Sequence, residues 1–466
     1  MSGQTSEWNT SGQHGLKDAI ANGSFWSVPD GELLSLIKSD FPTELHRLQH
    51  ATFVRDSDIP GPDGPSISEF LYGHDYPEVN RTLLGILALR WLWNDEYDAF
   101  VGTQSPQVRL TRESFNWLRK LYTTGLKSAD DIYTLITCMI INDLGKDPNL
   151  ATDYADKAGP DISHVNHDMI LYRAAEAGMI QALDRLTEPN KQYVLLGIRL
   201  GSDFNFGQLA QAENAPASLT RLADMHGHDR AFELRFMEQV LDLAGASGHE
   251  DWTCAKKLIE PVFQSYRNVY DVAYAIINGH AGLREGYDMI LTRKAEFLHR
   301  LGYQRDLDIQ DRADRALMRL FCLANTSNVQ DAEMYFRAFT ERVPEEARRQ
   351  LISGLNLDGT VQSPAVQTTY IPAMLTKAVG HTLNDTEEEK IKAIGAMLRY
   401  LSRCQKVDQS SLSRMPKGVT VIERDARTII PVLDSDGFKR NPDVLDQEEI
   451  PSDQVANMAP GIDSGK

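Results

Sequence analysis

The chain has 466 residues, with 48 Lys and Arg against 66 Asp and Glu, a formal charge of −18. A surface this acidic argues against a sequence-independent nucleic-acid binder, which needs a basic face. Hydrophobic residues at 42% and charged residues at 24% are ordinary globular composition, long enough to bury a core without staples. Four scattered cysteines (Cys138, Cys254, Cys322, Cys404) with no CxxC pair exclude a disulfide scaffold and a Cys-type zinc site, and fit a reducing compartment. The opening MSGQTSEWNTSGQHG lacks the apolar stretch of a secretory signal. The longest apolar runs, LLGILALRWLW and IYTLITCMII, are too short to span a bilayer. The expectation is a soluble, cytoplasmic protein.

Residues 1–24 are polar and are expected to be flexible. From 25 to 405 the apolar spacing is helical, predicting an all-α fold: one large helical domain with a cavity between helices and no internal linker. RDSDIPGPDGPSISEF reads as a loop between the first helices. SFNWLRKLYTTGL, ELRFMEQVLDLAG, LREGYDMILTRKAEFLHRLG and EEKIKAIGAMLRYLSRC repeat apolar residues at three- and four-residue steps. Thr386 with Glu389 reads as a capping box, Pro344 as a first helical turn, and Gly145 and Gly245 as C-terminal glycines. GVTVIE, from Gly418, is the one fair strand. Residues 406–466 are rich in Ser, Asp and Pro, and are expected to be an irregular tail, disordered or draped on the surface.

Several segments carry potential chemistry. A helix from about Ser128 should stop at Gly145, placing Asn142 and Asp143 in its last turn. A carbonyl end with a carboxylate and an amide oxygen offers hard ligands suited to Mg2+, and Lys146 would face a bound phosphate. A solvated helix terminus is the plainer reading of the same residues. The segment GSDFNFGQLAQAENAPASL interleaves Phe204 with Asp203, Gln208, Gln211 and Glu213. It reads either as a capped turn or as a cleft lining that holds a metal (Asp203, Glu213) and a polar substrate head (Gln208, Gln211). Asp229/Glu233 and Glu238/Asp242 are carboxylate pairs four apart, with Arg230 and Arg235 as neighbours, and read as a solvated face. His46 and His50 read as surface. Lys294 sits in the apolar stripe between Ile290 and Leu298. An inward cation needs an anionic partner, a route to water, or a cavity that holds an anion such as diphosphate. Ile290 would then be apolar wall. Trp252, Phe263, Tyr266 and Tyr270 are core, or faces that stabilise a cationic intermediate.

Two resemblances follow from these residues. Asp143, Leu144, Gly145 and Lys146 resemble the His-Asp-Leu/Ile-Gly-Lys helix end of HD-domain phosphohydrolases, with Asn142 in place of the histidine. That resemblance implies metal-dependent phosphoester hydrolysis, with His164, His167, His226, His228 or His249 as further ligands. The helix YDMILTRKAEF carrying Lys294, together with length and helicity, resembles the noncanonical fungal terpene cyclases of the humulene-synthase type. This second resemblance implies an Mg2+-dependent lyase that ionises a prenyl diphosphate, farnesyl diphosphate first among them, with Lys294 essential. The site expected on this reading has Asn142, Asp143, Asp203 and Glu213 at the metal and Lys146, Gln208, Gln211, Ile290, Phe204 and Tyr266 at the substrate. A metal-free pericyclase and a non-catalytic helical partner protein are the remaining alternatives.

Overall fold

The computed structural model describes residues 15–53, 61–407 and 412–459. Helices make up 64% of the described residues and a three-stranded sheet is the minor component, so the fold is all-α in class. Among the described residues no helix is long and apolar enough to cross a membrane. No linker marks it in the sequence, but the chain forms two compact units. One comprises 1–203 and 228–263, the other 204–227 and 264–466.

In the first unit, Leu16–Ala21 is a helix that buries Leu16, Ala19 and Ile20, so this part of the segment expected to be flexible is folded. Residues 1–14 lie outside the described residues. The main helices are α1 (Pro77–Trp93), α2 (Arg112–Gly125), α3 (Ala129–Ile141), α4 (His167–Glu176), α5 (Glu188–Asp203) and α6 (Asp229–Gly245). Helix α3 is buried from Ile132 to Ile141, as a helix apolar all round must be. Helices α1 and α3 pack on α6, as does α5, and α4 packs on α5. Helix α6 ends at Gly245, as expected, and the same glycine is a point of close approach to the Arg81 carbonyl of α1.

The second unit contains α7 (Leu283–Arg300), α8 (Arg312–Leu323), α9 (Glu345–Leu355), α10 (Ile371–Gly380) and α11 (Glu387–Cys404). Thr386 caps α11 as expected, accepting the Glu389 N–H. The Glu389 carboxylate turns to Asn384 instead of closing the capping box. Strands β1 (Ala365–Thr369), β2 (Val419–Asp425) and β3 (Gln454–Met458) form the sheet. β2 is central, parallel to β1 and antiparallel to β3. β2 is the strand expected from GVTVIE. Ala215 and Ala217 pack against Ala365 and Val421 on this sheet. Asn457 on β3 donates from Nδ2 to the Ala217 carbonyl at 3.0 Å.

The stretch 406–466 is expected to be an irregular tail, but its described part carries β2, β3 and short helical turns and is not a loose covering; residues 408–411 and 460–466 lie outside the described residues. Ile429, Leu433, Phe438 and Leu445 are buried in one core with α8, α10 and α11. A polar composition hid four apolar anchors, each separated by several polar residues. Phe438→Ala is expected to cost about 3–5 kcal/mol. A chemical-denaturation curve of the full chain reads this directly, and a loss below about 1 kcal/mol would return the segment to the surface.

Candidate functional site

The site forms where α3 ends. Ser128 caps its start, accepting the Asp131 N–H at 3.1 Å, which contributes about 1 kcal/mol. The helix closes at Ile141 with Asn142 as its C-cap, and Asp143 leads into a single 3-10 turn, Leu144–Lys146. Gly145 does not terminate the helix through a left-handed backbone. It has no side chain because the main chain of His167, at the start of α4, crosses it. A Cβ there would run into the His167 carbonyl. That crossing brings His167 Nε2 to 3.9 Å from Asp143 Oδ1.

Charged groups from α1 and α6 complete the cluster. Lys146 Nζ lies 2.9 Å from Asp143 Oδ2 and donates to both Glu78 oxygens at 3.2 Å. Arg81 Nη1 donates to Glu78 Oε1 at 2.8 Å. Glu78 is also hydrogen-bonded to Asp143, and Asp242 lies in the field of Asp143, Arg81 and Lys146. Glu78 and Asp143 are 2% and 4% exposed. The side chain of His167 is 43% exposed, so the cluster opens to water on that side.

These positions set the protonation states. Burial, then the Asp143 charge, raise the Glu78 carboxyl, and Lys146 and Arg81 only partly offset them. It is pushed up to about 7. Asp143 meets the same burial, but Lys146 and Arg81 prevail and hold it below the usual carboxylate range. Burial and Asp143 raise Asp242. The result is a carboxyl pair that shares one proton near neutrality, with its ionised member identified.

The donors do not form an Mg2+ shell as they are arranged. Asn142 Oδ1 accepts from Arg235 Nη1 at 2.9 Å, and an ammonium stands between Asp143 and Glu78. Among the described residues no group of three or more His, Cys, Asp or Glu side chains is placed to hold a metal ion.

The expected site residues divide between the units. Asn142, Asp143, Lys146 and Asp203 belong to the first. Phe204, Gln208, Gln211, Glu213, Tyr266, Ile290 and Lys294 belong to the second. Asp203 ends α5 and is exposed. Phe204 is buried with its ring centroid 5.3 Å from that of Phe206. Gln208 accepts from Gln367 Nε2 at 3.0 Å, and Gln211 caps the short helix Phe206–Ala210. Glu213 is buried, accepts the Tyr370 and Ile371 N–H groups, and is pushed up to about 8 by burial. Tyr266 is half-buried and Ile290 is core. Lys294 Nζ donates to the Thr326 carbonyl at 3.0 Å. Along α7 the second unit has an open groove of about 790 Å³, lined by Arg284, Asp288, Met289, Thr292, Arg293 and Glu296 among others, and mixed polar and apolar in character.

Sequence reasoning missed Glu78 and Arg81 and misread Glu238 and Asp242 as a solvated pair; Glu238 is 1% exposed. The available signal was PEVNRTLLGILALRWLW, a mainly apolar helix with an acid and a base three apart at its start. His46 and His50 are exposed, as expected.

The class defined by this fold and centre is a helical protein with a half-open acid–base cluster at the junction of α1, α3, α4 and α6. The chain belongs to a family of unknown function (DUF6829), whose model matches residues 34–445. No curated protein and no solved structure matches it.

Proposed function

We propose that the first unit cleaves a phosphoester or diphosphate bond by acid–base chemistry of its own side chains. The observation that carries this is the Glu78–Asp143 carboxyl pair bridged by the Lys146 ammonium and open to water beside His167. The resemblance of Asp143 to Lys146 to a phosphohydrolase helix end supports the same reading.

Lys146 and Arg81 are the groups that would hold phosphoryl oxygens, with Glu78 in its protonated form releasing them from pairing. Asp143, ionised, accepts a proton from the attacking water as the new O–P bond forms. Glu78 gives its proton to the leaving oxygen as the ester O–P bond breaks. The proton then returns from Asp143 to Glu78 through their shared hydrogen bond. Each positioned transfer contributes about 10²–10⁴-fold.

The sign of the pH dependence follows. The active form carries the Glu78 proton, so turnover should fall about tenfold per unit as pH rises above about 7. A rate that climbs steadily through pH 9 removes Glu78 as the acid.

The direct experiment incubates the purified full chain with p-nitrophenyl phosphate, nucleoside mono- and diphosphates, inorganic diphosphate and farnesyl diphosphate, each with Mg2+ and with EDTA. Phosphate release that survives EDTA and is lost in Glu78→Gln supports the proposal. Silence on every substrate sinks it and leaves the cluster as an internal ion network.

The farnesyl diphosphate arm also tests a second reading, ionisation of a prenyl diphosphate in the second unit. One observation favours it. No carboxylate among the described residues pairs with Lys294, whose charge burial disfavours, so an anion would complete its environment. A hydrocarbon detected by gas chromatography–mass spectrometry, lost in Lys294→Ala, would support that reading.

A further inference from the structure

We infer that Arg235 is a positioning residue for the first unit's centre, holding the Asp143 and His167 segments in fixed relation; this rests on the acid–base reading above.

Arg235 touches none of the groups assigned to proton transfer. Its Nη1 donates to Asn142 Oδ1 at 2.9 Å and to Glu238 Oε2 at 2.7 Å, and Nη2 lies 3.5 Å from Asp168 Oδ1. Asn142 immediately precedes Asp143. Asp168 immediately follows His167 and lies 3.6 Å from its Nε2. One guanidinium on α6 therefore ties the end of α3 to the first turn of α4.

The surroundings are shaped around this group. Gly197 and Gly201, one turn apart on α5, face it, and a Cβ on Gly201 would collide with the guanidinium. The void beside it, lined by Cys138, Asn142, Tyr193, Ile198 and Glu238, measures about 10 Å³. That holds one water at most. A planar guanidinium directs its donors along fixed lines, whereas an ammonium is a point charge on a flexible stem. A displacement of about 1 Å in a reacting group is enough to cost roughly a hundredfold in rate.

The test uses Gly201→Ala, which displaces the guanidinium, and Arg235→Lys, which keeps the charge without the fork. Gly380→Ala is the control, since a Cβ there meets open space in the other unit. Two readouts are taken on the full chain. One is kcat and KM for phosphate release across pH. The other, independent of activity, is the Glu78 carboxyl titration followed by carbon-13 NMR in the presence of its neighbours Asp143, Lys146, Arg81 and Asp242.

Both variants should lower kcat ten- to a hundredfold with KM within about twofold. Both should move the Glu78 midpoint downward from about 7, because the Asp143 charge is no longer held beside it. Gly380→Ala should do neither. A moved midpoint in a protein that hydrolyses no substrate would uphold the positioning role and reject the hydrolytic reading. An unmoved midpoint with unchanged kcat, even beside a lowered melting temperature, would overturn the inference and leave Arg235 as packing. If Gly201→Ala fails to fold, Arg235→Lys decides alone.

Discussion

Lys146→Met should abolish phosphate release and cost about 3–5 kcal/mol of stability, the penalty for stripping the counter-charge from buried carboxyls. Lys146 is within hydrogen-bonding distance of both Glu78 oxygens and lies 2.9 Å from Asp143. Without it Arg81 would be the remaining permanent cation facing Glu78, Asp143 and Asp242, with His167 at 3.9 Å from Asp143. Acid relieves the loss, because protonating Glu78 removes one of the two opposed charges. The deficit should therefore be smaller at pH 5 than at pH 8. Urea unfolding at both values, with phosphate release assayed at pH 6.5, checks both halves. A variant with wild-type stability at pH 8 would mean that water already screens the pair, and the site would have to be more open than its 2% and 4% exposures imply.

Arg319→Met in the second unit should be nearly as costly, for a different reason. Arg319 is 1% exposed. Among the described residues it has no carboxylate partner and is spent on carbonyls. Nε donates to Ala212 at 3.1 Å, Nη1 to Leu355 at 2.9 Å, and Nη2 to Asn214 at 2.9 Å. Burial without an acid pushes its pKa below the ordinary arginine range. Tyr287 OH lies within hydrogen-bonding distance of the Ala212 and Asn214 carbonyls and can share its one proton between them, so the orphaning is partial. At about 1–3 kcal/mol per unsatisfied buried acceptor, a total of about 3–5 kcal/mol is expected. Arg319→Lys should not rescue it, since one ammonium cannot serve three diverging carbonyls. A change in unfolding midpoint worth less than about 1 kcal/mol would show that Tyr287 alone holds the 212–214 turn.

The helical periodicity of α2, α3, α6, α7 and α11 was legible because an amphipathic or wholly apolar helix writes its packing into the spacing of its own residues. Strand β2 was legible for the same local reason. The charged groups were not. Glu78, Arg81, Asp143, Lys146 and Asp242 come from three stretches of chain, and their relation exists only once α1 and α6 pack together. Arg235 and Arg319 illustrate the limit most clearly. In sequence each is an ordinary helical arginine. What buries Arg235 is a pair of glycines more than thirty residues away on α5, and what buries Arg319 is the turn before α6 and the end of α9. The tail misled for a complementary reason: Phe438 and Leu445 are too widely spaced to raise the local hydrophobicity, yet each fills a place in a core built by other segments.

The central position of β2 has a consequence for how the polypeptide emerges from the ribosome. The residues of the first unit end at 263, in the first turn of a helix that runs to Ile277, so all of them are made in the first three-fifths of synthesis. Residues 204–227 must wait for later ones. The surface that Ala215 and Ala217 cover is supplied by Ala365 and Val421, and the last tie, from Asn457, comes later still. At about 5–20 residues per second, that segment stays without its partners for on the order of ten seconds or more. Nascent chains stalled once Ile277 has cleared the exit tunnel should therefore already protect α6 from protease, while the 204–227 insert remains cleavable until β3 has left the tunnel.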